Sequence, residues 1–264
     1  MKTKTLLNLL FITNITIVPM SLQAQVTPSP RMVTVKGGTM PPASSFSRQT
    51  VKGFLIGKYE VTKSEWDAIR NWAVANGYRD LANRGMAWGS NHPIHQVSWL
   101  EALKWCNALS QKEGLTPVYM LNGALYKTGH GVPTVNALAN GYRLPTDIEW
   151  EWAARGGIAS RGYIYSGSND LNSVGWNQTN SYRSGGTTSV VGTKAGNELG
   201  IFDMSGNVFE WCWDLHDPKY YFRRLRGGSW ACDAADCAVA NRQIDGGPAS
   251  TDWNIGFRLA RNSN

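Results

Sequence analysis

Between residues 62 and 149 the chain places a Ser or Thr three positions ahead of a Glu three times: Thr62 with Glu65, Ser98 with Glu101, and Thr146 with Glu149. At that spacing the hydroxyl and the carboxylate each take up a backbone N–H that the first helical turn leaves free, so each pair marks a helix start. Apolar residues then recur on one face: Trp66, Ile69 and Ala73 after the first, Trp99, Leu103 and Cys106 after the second, Trp150, Ala153 and Ala154 after the third. Gly77, Gly114 and the pair Gly156-Gly157 supply the stops. From Gly157 onward the chain is rich in Gly, Ser and Asn, and no helical period of useful length returns. Strand candidates are Met32 to Val35 and Phe54 to Thr62 early, then Ile201 to Met204, Val208 to Trp213, Leu225 to Arg226 and Ile255 to Ala260. The expected fold is α+β, with its helices early and an irregular, strand-threaded second half.

The helices alone do not account for the aromatic load. Twelve of the 264 residues are Trp. They require either a large core whose indole N–H groups find partners or an exposed aromatic recognition surface. With 28 Gly and 11 Pro, a compact helix bundle is excluded.

Residues 1–24 read as a secretory signal: Lys2 and Lys4, an apolar run from Leu6 to Val18, and the small residue Ala24. Residues 25–31, with Pro28 and Pro30, read as a tether, and 32–264 as a single domain. Export is therefore expected, with no transmembrane segment in the mature chain. Loss of Lys2 and Lys4 takes the formal charge from +7 to +7 − 2 = +5. The remaining basic residues are scattered, which argues against nucleic acid as a partner. An oxidising compartment allows Cys106, Cys212, Cys232 and Cys237 to pair in three ways, among which the sequence does not choose. A monomer is expected.

Five segments, "HPIHQVSWLEALKWCNALS", "NGYRLPTDIEWEWAARGG", "GIFDMSGNVFEW", "LRGGSW" and "NIGFRLAR", stand in the order and approximate spacing of the formylglycine-generating enzyme, or sulfatase-modifying factor, family. The resemblance spans roughly residues 32 to 261. It implies a C-type-lectin-like fold with little regular secondary structure. It does not choose a function, because that scaffold carries copper oxidases, other metal enzymes and non-catalytic binders.

In the copper enzymes of the family, two cysteines with four residues between them follow the GGS motif and bind Cu(I), a soft ion suited to thiolates. Cys232 and Cys237 have that spacing here, in "GGSWACDAADC". The family enzymes place His after the first cysteine and basic and aromatic residues after the second. This chain has Asp233 and Asp236 beside the thiols, and negative charge disfavours the thiolate. The alternative is that Cys237 packs in the scaffold and Cys232 is incidental or disulfide-linked. The resemblance also implies a structural calcium ion at Asp203, Gly206, Val208 and Glu210, oxygen donors suited to a hard cation. The other reading is that Asp203 caps a turn and Glu210 pairs with an Arg.

Between the family-like flanks, residues 231–253 are a miscellany. Most of the unusual positions there carry residues whose codons arise from an asparagine codon by changing only its adenines; Gln243 and Trp253 do not. That pattern resembles the variable proteins of diversity-generating retroelements, typified by a treponeme variable protein, whose variable segment lies near the C-terminus. On this reading Ala231, Asp233, Ala235, Asp236, Ile244, Asp245, Ala249, Thr251 and Trp253 form a binding surface for a protein or glycan, with Trp253 and Trp230 as anchors. The expected function is thus a secreted or surface-displayed ligand-binding protein. The alternative is a copper-dependent oxidase that converts a sulfatase Cys to formylglycine.

Two further signals are weak. His92 and His95 have a two-residue gap but no companion ligands, and loop packing is the simpler reading. "GTKAGNELG" lacks the Lys-Ser/Thr pair of a phosphate loop, and no nucleophile elbow is present.

Overall fold

The structure is a computed structural model that describes residues 32–181, 185–217, 219, 221–242 and 245–263. The segments 1–24 and 25–31, and with them the expected signal and tether, lie outside the described residues.

All three capping boxes form. Thr62 caps α1 (Lys63–Ala75), Ser98 caps α2 (Trp99–Lys112) and Thr146 caps α3 (Asp147–Ala154), each with both reciprocal hydrogen bonds. Gly77, Gly114 and Gly156 follow their helices with positive φ, as expected of helix stops. Among the described residues, the α-helices of the second half are two of four residues each, α4 (Leu171–Val174) and α5 (Gln178–Ser181).

The strands are short: β1 (Met32–Val35), β2 (Gly38–Thr39), β3 (Thr50–Val51), β4 (Phe54–Gly57), β5 (Tyr119–Leu121), β6 (Ala124–Leu125), β7 (Thr134–Val135) and β8 (Tyr142–Arg143). They continue with β9 (Phe209–Asp217), β10 (Phe222–Arg226), β11 (Asp245–Gly246), β12 (Ile255–Gly256) and β13 (Ala260–Asn262). One four-stranded sheet runs β1-β4-β13-β8, which sets the last strand between two early ones; the other runs β11-β10-β9-β12, with β12 parallel to β9. Two apolar cores result. One lies around α1 and α2, the other around α3, β1 and β4.

Two strand expectations are corrected. Residues 58–62 leave β4, because the chain turns inward to bury Glu60. Ile201 to Met204 form no strand: Asp203 sits at φ +58, and the Phe202 N–H donates to Lys58 O at 3.0 Å rather than to a ladder. The four cysteines are free thiols, so none of the three pairings is realised.

The tryptophans are mainly frame. Trp66, Trp99, Trp105, Trp150, Trp152, Trp211 and Trp230 are buried. The first six each donate the indole N–H across a long sequence separation, for example Trp99 to Cys212 O, Trp211 to Val97 O and Trp152 to Lys36 O, all at 2.9 Å. An indole that fills a core and staples a remote carbonyl lets a chain with little ladder hold irregular loops in place. Trp230 is the exception: its Nε1 is buried without a partner.

Candidate functional site in the C-terminal interval

The segment 231–253 leaves and re-enters the frame at fixed points. Gly227 and Gly228 turn at positive φ, and a Cβ on Gly228 would stand 2.6 Å from Cys237 Sγ, so only Gly admits this approach. The Trp230 N–H donates to Asn207 O at 2.8 Å, and Ser181 Oγ donates to Trp230 O at 2.7 Å. A 3-10 turn at Ala234–Cys237 follows, then Val239, buried, ties its N–H to Ile164 O at 3.0 Å. Further on, Pro248 O accepts from the Leu100 N–H at 3.2 Å and Asp252 O from the Gln96 N–H at 2.8 Å. Ile255 then enters β12.

Between those anchor points the chain faces solvent. Asp233, Ala235, Ala249, Thr251 and Trp253 are exposed, and Ala231, Asp236 and Asp245 are half-buried. Ile244 lies outside the described residues. Trp253 comes back to the start of the segment: its ring meets that of Trp230 with centroids 4.8 Å apart, and Asn254 Nδ2 donates to Ser229 Oγ at 3.3 Å. Asp245 instead pairs on the β9–β11 side with His216, 2.9 Å away.

The sequence reading undervalued one neighbour of this region. Met86 and His95 form an isolated antiparallel bridge, which holds the exposed Trp88 ring 6.2 Å from the His95 ring. His95 is buried, and neither of its ring nitrogens has a hydrogen-bond partner. Burial, with a smaller contribution from His92, lowers its pKa to about 4, so the ring is neutral. His92 turns away to Thr188, with Nδ1 and Oγ1 2.9 Å apart. Trp88, seven residues ahead of His95 in the "HPIHQVSW" region, is the sequence signal that was available.

The two thiols lie in a setting that favours protonation. Cys237 is wholly buried, and burial, then Cys232 and Asp236, push its pKa up. Cys232 is half-buried with Sγ 2.9 Å from Ser229 Oγ, and its pKa is raised by burial and by Asp236 and Asp233. Cu(I) requires thiolates, and no basic side chain supports either sulfur in these contacts.

The residues expected to hold calcium lie deeper. Glu210 Oε1 accepts from Arg258 Nη2 at 2.6 Å, and Oε2 accepts from Arg258 Nε at 2.6 Å and Trp150 Nε1 at 2.7 Å, all buried. Asp203 Oδ2 accepts from the Gly192 N–H at 2.6 Å, while its Oδ1 is buried without a partner. Gly206 packs so closely on Trp176 that a Cβ would stand 2.0 Å from Trp176 O. Glu60, not anticipated from sequence, completes the group by accepting from Asn207 Nδ2 at 2.6 Å and the Val208 N–H at 3.1 Å. Burial, then repulsion among the three acids, raises the pKa of Glu60 well above normal; burial brings that of Asp203 to about 6. Both oxygens of Glu210 are thus spent on Arg258 and Trp150, and of the four expected residues only Asp203 keeps a free carboxylate oxygen.

Comparison with known proteins agrees with this architecture. The chain is 36% identical over 239 residues to the chaperone protein LppX of Paenibacillus barcinonensis, covering 80% of this chain and 82% of that one. It is 30% identical over 230 residues to a formylglycine-generating enzyme of Streptomyces coelicolor, covering 75% of this chain but 61% of that protein. Among solved structures, CarF superposes with a TM-score of 0.77 at 29% identity, over 89% of this chain and 99% of CarF. Treponema denticola variable protein 1 does so with a TM-score of 0.71 at 30% identity, over 88% of this chain and 95% of that one. Residues 19–263 match the sulfatase-modifying factor enzyme 1-like domain, and the chain belongs to that family, on its C-type-lectin-like α+β fold.

Proposed function

We propose that the protein is a non-catalytic, exported ligand-binding member of this family, and that its binding surface is built on the interval 231–253. The observation that carries the reading is the exposure of Asp233, Ala235, Ala249, Thr251 and Trp253 between anchor points that are buried and hydrogen-bonded. Such an arrangement lets surface residues vary without disturbing the fold. Two similarities lend support: one relative is named a chaperone, and one structural neighbour a variable protein. A protein or glycan ligand is consistent with both. Export is consistent with the apolar, basic-headed start of the chain, and no described helix is long and apolar enough to cross a membrane.

The copper oxidase is the competing reading, and the thiols argue against it: Cys237 is fully buried and two carboxylates flank the pair. The test is reconstitution of the purified chain with Cu(I) under oxygen, in the presence of a Cys-containing sulfatase peptide. The peptide mass is expected to stay unchanged. Oxygen-dependent conversion of its Cys to formylglycine, abolished by Cys232→Ser, would overturn the binding reading.

A further inference from the structure

Away from the C-terminal interval, a cavity of about 190 Å³ opens beside β7. Its apolar walls are Val118, Tyr119, Val135, Leu144 and Trp213, with the Tyr119 and Trp213 rings stacked at a centroid distance of 5.2 Å. None of residues 231–253 lines it. Arg143 is the one charged side chain in the lining, and its donors are taken: Nη1 and Nη2 donate to the two carboxylate oxygens of Glu149 at 2.7 Å each, and Nε donates to Asn262 Oδ1 at 3.0 Å. From Gly114 to Thr146 the chain has no Asp or Glu. A charged guest therefore finds no counter-charge here, and an uncharged apolar group fits the lining.

The rim of this cavity is an open strand edge. The small sheet runs β6-β5-β7, so β7 has a strand on one side alone among the described residues. Tyr119 pairs with Val135 and Met120 with Thr134, and the Asn136 N–H donates to Val118 O at 2.8 Å. That pattern makes Tyr119 and Val135 the non-hydrogen-bonded pair of the antiparallel ladder, so the N–H and C=O of Val135 point away from β5. Val135 is 46% exposed, and Val132 and Leu138 beside it are 50% and 91% exposed. Edge strands are ordinarily guarded by charged side chains, yet residues 131–138 carry none.

We propose that this edge is a second binding site, which takes an extended, uncharged peptide stretch as an added strand on β7 and receives one of its aromatic or branched aliphatic side chains in the cavity. The peptide residue opposite Val135 exchanges two main-chain hydrogen bonds with it. Its side chain stands on the same face as those of Val135 and Tyr119, which is the face the cavity occupies. The volume suits one such group, since a cavity of roughly 150 Å³ accepts a benzene molecule. A free ring would fill the space but leave the Val135 N–H and C=O unpaired, and this selects a peptide over a small hydrocarbon. The site is independent of the surface proposed above, so either can fail alone.

The experiment titrates the full chain with blocked pentapeptides Ser-Thr-X-Thr-Ser, X being Phe, Leu, Ala, Asp or Lys, and with toluene, read by the NMR signals of the Val135 amide and the Trp213 indole. The Phe or Leu peptide is expected to bind saturably, and the Ala, Asp and Lys peptides to bind weaker by about tenfold or more. N-methylation at X should weaken binding by about fivefold, as should Val135→Pro, which removes an N–H that β5 does not use. Ala137→Trp, at an exposed position of the lining, should block the cavity and abolish the preference for Phe or Leu over Ala. Equal binding of the Phe, Leu and Ala peptides, or no binding by any, overturns the proposal. Toluene binding that Ala137→Trp blocks, with no peptide bound, also overturns it and leaves a cavity for free rings. Peptide binding that is lost in Trp253→Ala but survives Val135→Pro and Ala137→Trp overturns this site and supports the surface at 231–253.

Discussion

The molecule handles buried polarity in opposite ways in two places. Around Arg258, Glu210 pairs directly with the guanidinium while Glu60 and Asp203 lie close enough to feel its charge, and each of the three acids accepts at least one hydrogen bond within the protein. At the seam between Trp88 and Trp253, two buried polar rings have none. Where the chain supplies its own partners, it is fixing loops that have little ladder to hold them. Where it withholds them, the rings are closed off beside exposed indoles.

The strongest way to break the first half of that contrast is Arg258→Met. The substitution keeps much of the volume but leaves Glu60, Asp203 and Glu210 facing one another without a cation. Removing one partner of a buried ion pair costs about 3–5 kcal/mol. Chemical denaturation is expected to show a loss of that size. A loss below about 1 kcal/mol would mean that the acids do not depend on Arg258.

How much of this contrast could be read from the sequence depended on range. The capping boxes were legible because Thr62 and Glu65, or Ser98 and Glu101, lie within one turn and need no tertiary partner. The cysteine and GGS segment was legible by resemblance. Ile201 to Met204 looked like a strand because its residues are apolar, but the left-handed turn at Asp203 is set by Gly192 and Lys58, contacts that no local pattern encodes. Pairing of Glu210 with an Arg was one of two open readings, and only the return of the last strand beside β4 decides which Arg it is. His95 was read as loop packing. Its burial is real, but its missing partners become visible only when residue 96 meets residue 252.

A smaller effect sharpens the charge balance at the first site. The pKa of Asp203 is raised to about 6 in the fold against 3.8 unfolded, so folding favours its protonated form. Its stabilising effect is present at low pH and is lost as pH rises from about 4 through about 6, leaving Asp203 unfavourable at pH 7. Asp203→Asn is therefore expected to raise stability at pH 7 by about 1 kcal/mol and to have little benefit at pH 4. Added calcium should leave the Tm of the unsubstituted chain unchanged. A destabilised Asn variant, together with a Tm that rises with calcium, would show that a cation completes this acidic cluster.

The smallest effect is expected at the exposed positions of the interval, where side chains that support the loop and side chains that it displays alternate along one stretch. Ala235 and Thr251 are exposed, and Ala235 is held through its carbonyl, which accepts from Asn241 Nδ2 at 3.3 Å, rather than through its side chain. Val239, four residues after Ala235, is buried in the core around α3 and holds the loop down through its N–H as well. Val239→Ala removes buried methyl groups and should cost about 1–2 kcal/mol. Ala235→Ser and Thr251→Ala, made together, should stay within about 0.5 kcal/mol, as surface substitutions do. Comparing the three proteins by denaturant midpoint at constant m isolates stability from any change in unfolded-state compactness. If the exposed pair costs as much as Val239→Ala, the interval is structural along its whole length and cannot serve as a surface free to vary. A large cost at Val239 alone would place the boundary between frame and display within a few residues of one loop, with the fold tolerating change only on the solvent side of that line.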